Sequence, residues 1–151
     1  MDFNRFDSAG FVINWCARVF ERRMAEALRP LGITPAYLPP LFTLSALGGT
    51  TQGELAKASA IQQPTMALTL RRMERDGLIV RVQDETDHRR AIIRLTPQAE
   101  ALLPQVEALA QSINEAAFDG LSAEAPAQLI ELLRQTAENL EKQQTVAGGV
   151  L

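Results

Sequence analysis

Residues 61–96, IQQPTMALTLRRMERDGLIVRVQDETDHRRAIIRLT, join a helical period to a strand–loop–strand pattern, and few folds accommodate that order. With Met66 at the zero of a period of about 3.6 residues, Met66, Leu70 and Met73 share one seam. Pro64, Thr65, Leu68, Arg71, Arg72 and Arg75 fall on the opposite side. The pattern predicts a helix that packs along one face and offers the other to a polyanion. Gly77 follows the last turn as a helix-ending residue. Residues 78–83 then have the apolar, β-branched character of a strand, and residues 90–95 form a second run able to pair with it as a hairpin. Between them Asp84-Glu85-Thr86-Asp87-His88-Arg89 is polar and turn-rich, which predicts a projecting loop. The expected fold class is mainly α with a small β-wing (α+β), a winged helix-turn-helix suited to duplex DNA.

The flanking segments extend this reading. Residues 8–31 carry Phe11, Val12, Trp15, Val19, Met24 and Leu28 at helical spacing with arginines between them, and Pro30 and Gly32 end the run. Trp15 and Phe20 suit core or partner-facing packing. Thr34-Pro35 has the form of an N-cap followed by a proline in the first turn, opening a helix through Leu41, Phe42, Leu44 and Leu47; Pro39-Pro40 either delays its start or kinks it. Thr51-Gln52-Gly53-Glu54 is a capping box that starts a short helix, and a brief turn at residues 59–62 leads to the helix described above, with Pro64 in its first turn. Thr96-Pro97 opens a further helix with the stripe Ala99, Leu102, Leu103, Val106, Leu109, Ala110 and Ile113. After Asp119-Gly120, Ser122 is the expected cap of a last helix bearing Leu129, Ile130, Leu132, Leu133, Ala137 and Leu140. These stripes are broad for helices leaving a winged domain. Mutual burial across a two-fold dimer accounts for them, and intrachain packing of a monomer is the alternative.

Composition limits the function classes. A chain of 151 residues buries a core without staples, and its single Cys16 excludes an internal disulfide or a multi-cysteine zinc site. Cys16 beside Trp15 reads as a small buried hydrophobe, with a redox sensor as the sharper alternative. No basic leader with a long apolar run opens the chain and no segment approaches the ~20 apolar residues of a membrane span, so a cytoplasmic protein is expected. The net charge of −3 divides unevenly: +1 over residues 1–51, +2 over 52–96 and −6 over 97–151. A locally basic head and an acidic tail end coexist because phosphate senses charge within about 10 Å. One His, one Cys and scattered acids supply no nucleophile–base pair, no metal spacing and no phosphate loop, so no enzyme, cofactor or metal is expected.

The order of elements and the motifs LRPLGIT, GELAKASAIQQPT, RMERDGLIVR and the D-x-R wing tip followed by RLT resemble the MarR family of winged-helix transcription regulators, and within it the SlyA-like branch. The resemblance spans almost the whole chain. It implies a winged helix-turn-helix lobe over residues 34–96 and a helical dimerisation region from residues 5–31 and 97–145. It also implies a homodimer, repressor action, a recognition helix at residues 63–76 in the major groove and a wing at residues 83–90 along the minor groove. Release by a small aromatic, phenolic or anionic ligand is a further implication.

By the same resemblance Gln63, Pro64, Thr65 and Thr69 match the recognition helix, and Arg72 lies on its outward face. Asp87 and Arg89 match the wing tip, where the carboxylate would pair with arginine and the guanidinium would enter a narrow minor groove. With Leu68, Arg71, Arg75, His88 and Arg90 these make up the expected DNA-contacting set. Arg18, Leu38 and Phe42 correspond to the branch's ligand cleft, with an interhelical salt bridge as the alternative role for Arg18. Two residues depart from the pattern: Leu68 replaces an arginine on the recognition helix and His88 replaces the first arginine of the wing pair. A protein-interaction module without sequence-specific DNA binding is the competing function. The basic outward face and the arginine-bearing wing speak against it.

Overall fold

The computed structural model describes residues 4–87 and 89–147. Its first compact unit runs to Ile113 and its second begins at Asn114. In the first, helix α1 spans Ala9–Leu28, and the Ser8 hydroxyl accepts the Phe11 amide at 3.4 Å as its N-cap. A 3-10 turn at Arg29–Leu31 stops it, with Gly32 left-handed at φ 68°. Only Leu28 of α1 is fully buried. Phe6, Phe11 and Trp15 stack edge to face at its start, with centroids 5.4 and 6.2 Å apart, yet Trp15 stays half exposed. Cys16 is exposed too, against its expected burial, because its face of α1 has no covering element among the described residues of this unit.

The paired prolines resolve as the later of the two starts. Pro35–Tyr37 forms a 3-10 turn without a side-chain cap from Thr34, and helix α2 begins afterwards at Leu38–Leu47, with its prolines in the first turn where missing donors cost least. Helix α3, Gln52–Ala58, carries the full capping box, and helix α4 spans Gln63–Arg75. Strands β1, Ile79–Gln83, and β2, Ala91–Leu95, pair antiparallel in the register Ile79↔Leu95 through Gln83↔Ala91. Sequence periodicity gave no sign of a third edge: Thr50 bridges Ile93, with amide–carbonyl bonds of 3.1 and 2.8 Å that tie the root of the hairpin to the entry of α3. Gly49 makes this approach possible, because a Cβ there would sit 2.9 Å from Arg94 Cγ and 3.2 Å from Ile92 Cγ2.

Helix α5 runs Pro97–Ala117. The Thr96 hydroxyl donates to the Gly77 carbonyl at 2.7 Å and accepts the Ala99 amide at 3.2 Å, so one side chain joins the stop of α4 to the start of α5. Leu28, Leu41, Leu44, Leu55, Met66, Leu70, Met73, Ile79, Ile93 and Val106 close the core of this unit.

In the second unit the end of α5 turns at Gly120, φ 77°, and helix α6 spans Ala125–Ala147. It starts three residues beyond the expected cap, and Ser122 contributes its carbonyl to the Ala125 amide at 3.1 Å. None of residues 125–143 is buried; Ile130 and Leu132 are each 62% exposed. Arg134 pairs with Glu131 at 2.8 Å and with Glu138. Among the described residues no helix is long and apolar enough to cross a membrane.

Candidate nucleic-acid interface

Two short helices and a turn set the orientation of α4. Ala60 between α3 and α4 adopts φ 52°, a left-handed conformation that costs an alanine about 1–2 kcal/mol, and its amide donates to the Lys57 carbonyl at 3.2 Å. The Ile61 amide reaches the Ala56 carbonyl at 2.9 Å across that turn. Met66, Leu70 and Met73 are each 0% exposed, and full burial of each such side chain is worth roughly 1.5–3 kcal/mol. This seam seats α4 against the core. Its opposite face remains open: Gln63, Pro64, Thr65, Leu68, Arg71, Arg72 and Arg75 are all exposed.

The C-terminal end of α4 is held by charge. Asp76 caps the helix, accepting the Tyr37 hydroxyl at 2.6 Å and the Arg75 Nε–H at 2.8 Å. Those two donors, Arg75 first, lower the Asp76 pKa from its ordinary value. Burial, followed by the bond to Asp76, pushes the Tyr37 hydroxyl up to about 12, so this phenol stays protonated as the donor.

The wing is organised by carboxylates bonded to backbone. Asp84 Oδ1 accepts the Thr86 amide at 2.9 Å, the Thr86 hydroxyl at 2.7 Å and the Asp87 amide at 3.4 Å, which lowers the Asp84 pKa. Asp87 Oδ1 accepts the Arg89 amide at 3.0 Å, and the Arg90 amide donates to the Asp87 carbonyl at 2.9 Å. At the wing root Glu54 gathers the Thr50 and Thr51 hydroxyls at 2.7 and 2.9 Å and pairs with Arg90 at 3.4 Å. Its pKa falls to about 2, chiefly through the Thr50 hydroxyl and then Thr51. Arg81 spans to Glu74 of α4 at 3.4 Å and to Gln52 of α3 at 3.5 Å. These contacts fix the wing and α4 in one frame.

That frame has close counterparts among known proteins. The MarR family model matches residues 33–91, which take in α2, α3, α4, β1 and the wing loop. A probable transcriptional regulator from Pseudomonas aeruginosa is 28% identical at a TM-score of 0.80, covering 88% of this chain and 99% of its own. A mutant MarR from E. coli, solved in complex with operator DNA, is 26% identical at a TM-score of 0.80, with 90% and 98% covered. BpsR of Bordetella bronchiseptica, solved in work on regulation of its DNA binding by 6-hydroxynicotinic acid, shares the fold at 22% identity and a TM-score of 0.82, with 91% and 98% covered. Residues 33–91 match the MarR family model and fold as a winged helix.

Within this winged helix the expected residues do not all fall together. Thr69, expected in the DNA-contacting set, lies with the packed seam at 8% exposed, because three residues at roughly 100° each bring it back to within about 60° of Met66. Asp87 stabilises the wing tip through the Arg89 amide, where an arginine side chain had been expected, since a carboxylate two residues before a free amide closes an Asx turn locally. Arg75 and Arg90 are engaged by Asp76 and Glu54, whereas no ion pair within 4.0 Å is formed by Arg71, Arg72 or Arg89 among the described residues. His88 lies outside the described residues. Asp84 was missed as the wing's main organiser; its signal was the acid-x-threonine spacing Asp84-Glu85-Thr86, which favours side chain to backbone bonding.

The ligand trio is dispersed in kind. Arg18 is exposed on α1, while Leu38 and Phe42 are half-buried against the core. An open cavity of about 420 Å³ lies elsewhere, lined by Leu44, Ser45, Gly48, Arg94, Pro97 and Glu100 among others, and takes in none of the three. Among the described residues no group of three or more His, Cys, Asp or Glu is arranged to hold a metal ion.

Proposed function

We propose that this chain is a homodimeric, non-enzymatic transcription regulator of the MarR family, of the SlyA-like branch, that represses by occupying a pseudo-palindromic operator. The observation that carries the reading is the division of α4 into a fully buried seam and an exposed face bearing Arg71 and Arg72, with the wing locked beside it. In this reading residues 63–76 enter the major groove and residues 83–90 follow the minor groove, so that arginines on both elements meet phosphate and focused negative potential. Residues 34–96 form the DNA-binding lobe, while residues 5–31 and 97–145 form the dimerisation region. Support for the dimer comes from the apolar faces of α1 and α6, where Val12, Ile13, Trp15, Leu129, Ile130, Leu132 and Leu140 are all exposed. A dimer sets half-sites about one helical turn, roughly 34–36 Å, apart. Action in the cytoplasm, and release by a small aromatic anion held near Arg18, Leu38 and Phe42, complete the proposal. BpsR, whose DNA binding is tied to 6-hydroxynicotinic acid, is a relative in fold.

The test is selection from a random duplex library at two salt concentrations, followed by titration of the winning duplex with and without a salicylate-like acid. Enrichment of a two-fold-symmetric site with a steep salt dependence is expected. Binding indifferent to sequence would favour the interaction-module reading, in which the same uncovered helices recruit a protein.

A further inference from the structure

Leu68 is the one large hydrophobic side chain standing open on α4, 47% exposed. Pro64, one turn earlier on the same face, is exposed as well, and Thr65, Arg71, Arg72 and Arg75 surround the pair. A single exposed leucine on a protein surface is ordinary; its position inside a cationic stripe is what distinguishes this one. When such a stripe closes on a polyanion, the leucine is desolvated together with whatever faces it. A polar base edge facing it would lose water without gaining a hydrogen bond, which costs free energy. The major groove offers donors and acceptors on every base pair and one apolar group, the 5-methyl of thymine.

We propose that Leu68 is a specificity-determining residue that reads a thymine 5-methyl group in each operator half-site, with Pro64 widening the apolar contact. The inference rests on the operator-binding reading above and goes beyond it by naming a chemical group that the operator must carry. Arg71 and Arg72 supply affinity that is blind to sequence, whereas Leu68 supplies discrimination that is blind to salt, because burying a methyl group releases no counterions.

Deoxyuridine tests this directly, since it removes the methyl and keeps every hydrogen-bonding edge of thymine. Each thymine of the selected duplex is replaced in turn, and binding is measured for the full-length protein and for Leu68→Ala, whose helical content is checked by circular dichroism. At one thymine per half-site the replacement is expected to weaken binding about fourfold, the worth of one buried methyl-sized group, and roughly fifteenfold when both half-sites are changed. Leu68→Ala is expected to bind the thymine and uracil duplexes alike at that position while keeping its preferences elsewhere. The assignment is overturned if every thymine tolerates the change, or if Leu68→Ala still discriminates thymine from uracil. A selection that enriches no duplex overturns the operator reading and this inference together, whereas an enriched duplex indifferent to its methyl groups overturns only the inference.

Discussion

Helices α4 and α6 carry apolar residues at the same spacing and meet opposite fates. In α4 the seam of Met66, Leu70 and Met73 is completely buried within its own unit. In α6 the stripe of Leu129, Ile130, Leu132, Leu133 and Leu140 leaves every member at least 39% exposed. The periodicity is equally clear in both, so it states that a face is to be covered and says nothing of whose atoms cover it. Helix α1 behaves like α6 along most of its length and like α4 only at Leu28.

The largest effect expected from this contrast is on folding. Leu70→Ala should cost about 2–5 kcal/mol, read as a lowered urea midpoint with an unchanged slope, because a cavity is left in a closed core. Leu132→Ala should change the stability of the dissociated chain by less than about 0.5 kcal/mol. Equal, concentration-independent losses in the two variants would break the comparison.

The proposed self-association gives the next effect. Replacing Ile130 and Leu132 together by glutamate should weaken the dimer roughly a hundredfold or more in sedimentation velocity, since each buried aliphatic side chain is worth roughly 1.5–3 kcal/mol, while helical content stays the same. A third pair draws the same line inside α4. Thr69→Ala should lower stability by about 1 kcal/mol and leave the salt dependence of DNA binding intact. Arg72→Ala should do the reverse, flattening the salt slope by about one unit with little change in Tm.

The smallest effect is an acid one at the wing root. Glu54 has its carboxyl at about 2, against an ordinary 4.5, so the unfolded chain takes up the proton first as pH falls. The stability it contributes is therefore complete above pH 4.5 and lost on the way down through about 2. Glu54→Gln should lower Tm modestly at pH 7, with the difference from the parent narrowing as thermal melts are taken toward pH 2. A difference that stays constant across that range would remove Glu54 from the wing's electrostatics.

Much of this fold was legible in the residues, and the losses have identifiable causes. The seam of α4, the capping box at Thr51 and Glu54, and the hairpin were readable because each depends on neighbours within a few positions. The bridge from Thr50 to Ile93 and the bond from Tyr37 to Asp76 join residues some forty positions apart, and no local pattern announces either. Thr69 was misplaced for a different reason. Resemblance put it on the reading face, while the helical period alone already put it beside Met66.

From the sequence alone came the element order, the two faces of α4 and the charge division between a basic head and an acidic tail end, because periodicity, caps and charge are properties of short stretches. Only the tertiary structure decided which arginines are engaged and which are open, and which apolar stripes close within the chain. Glu54 comes to Arg90, and Tyr37 to the Asp76 that holds its chain neighbour Arg75, through packing of separate elements, and an apolar face is buried only where another surface arrives to displace its water.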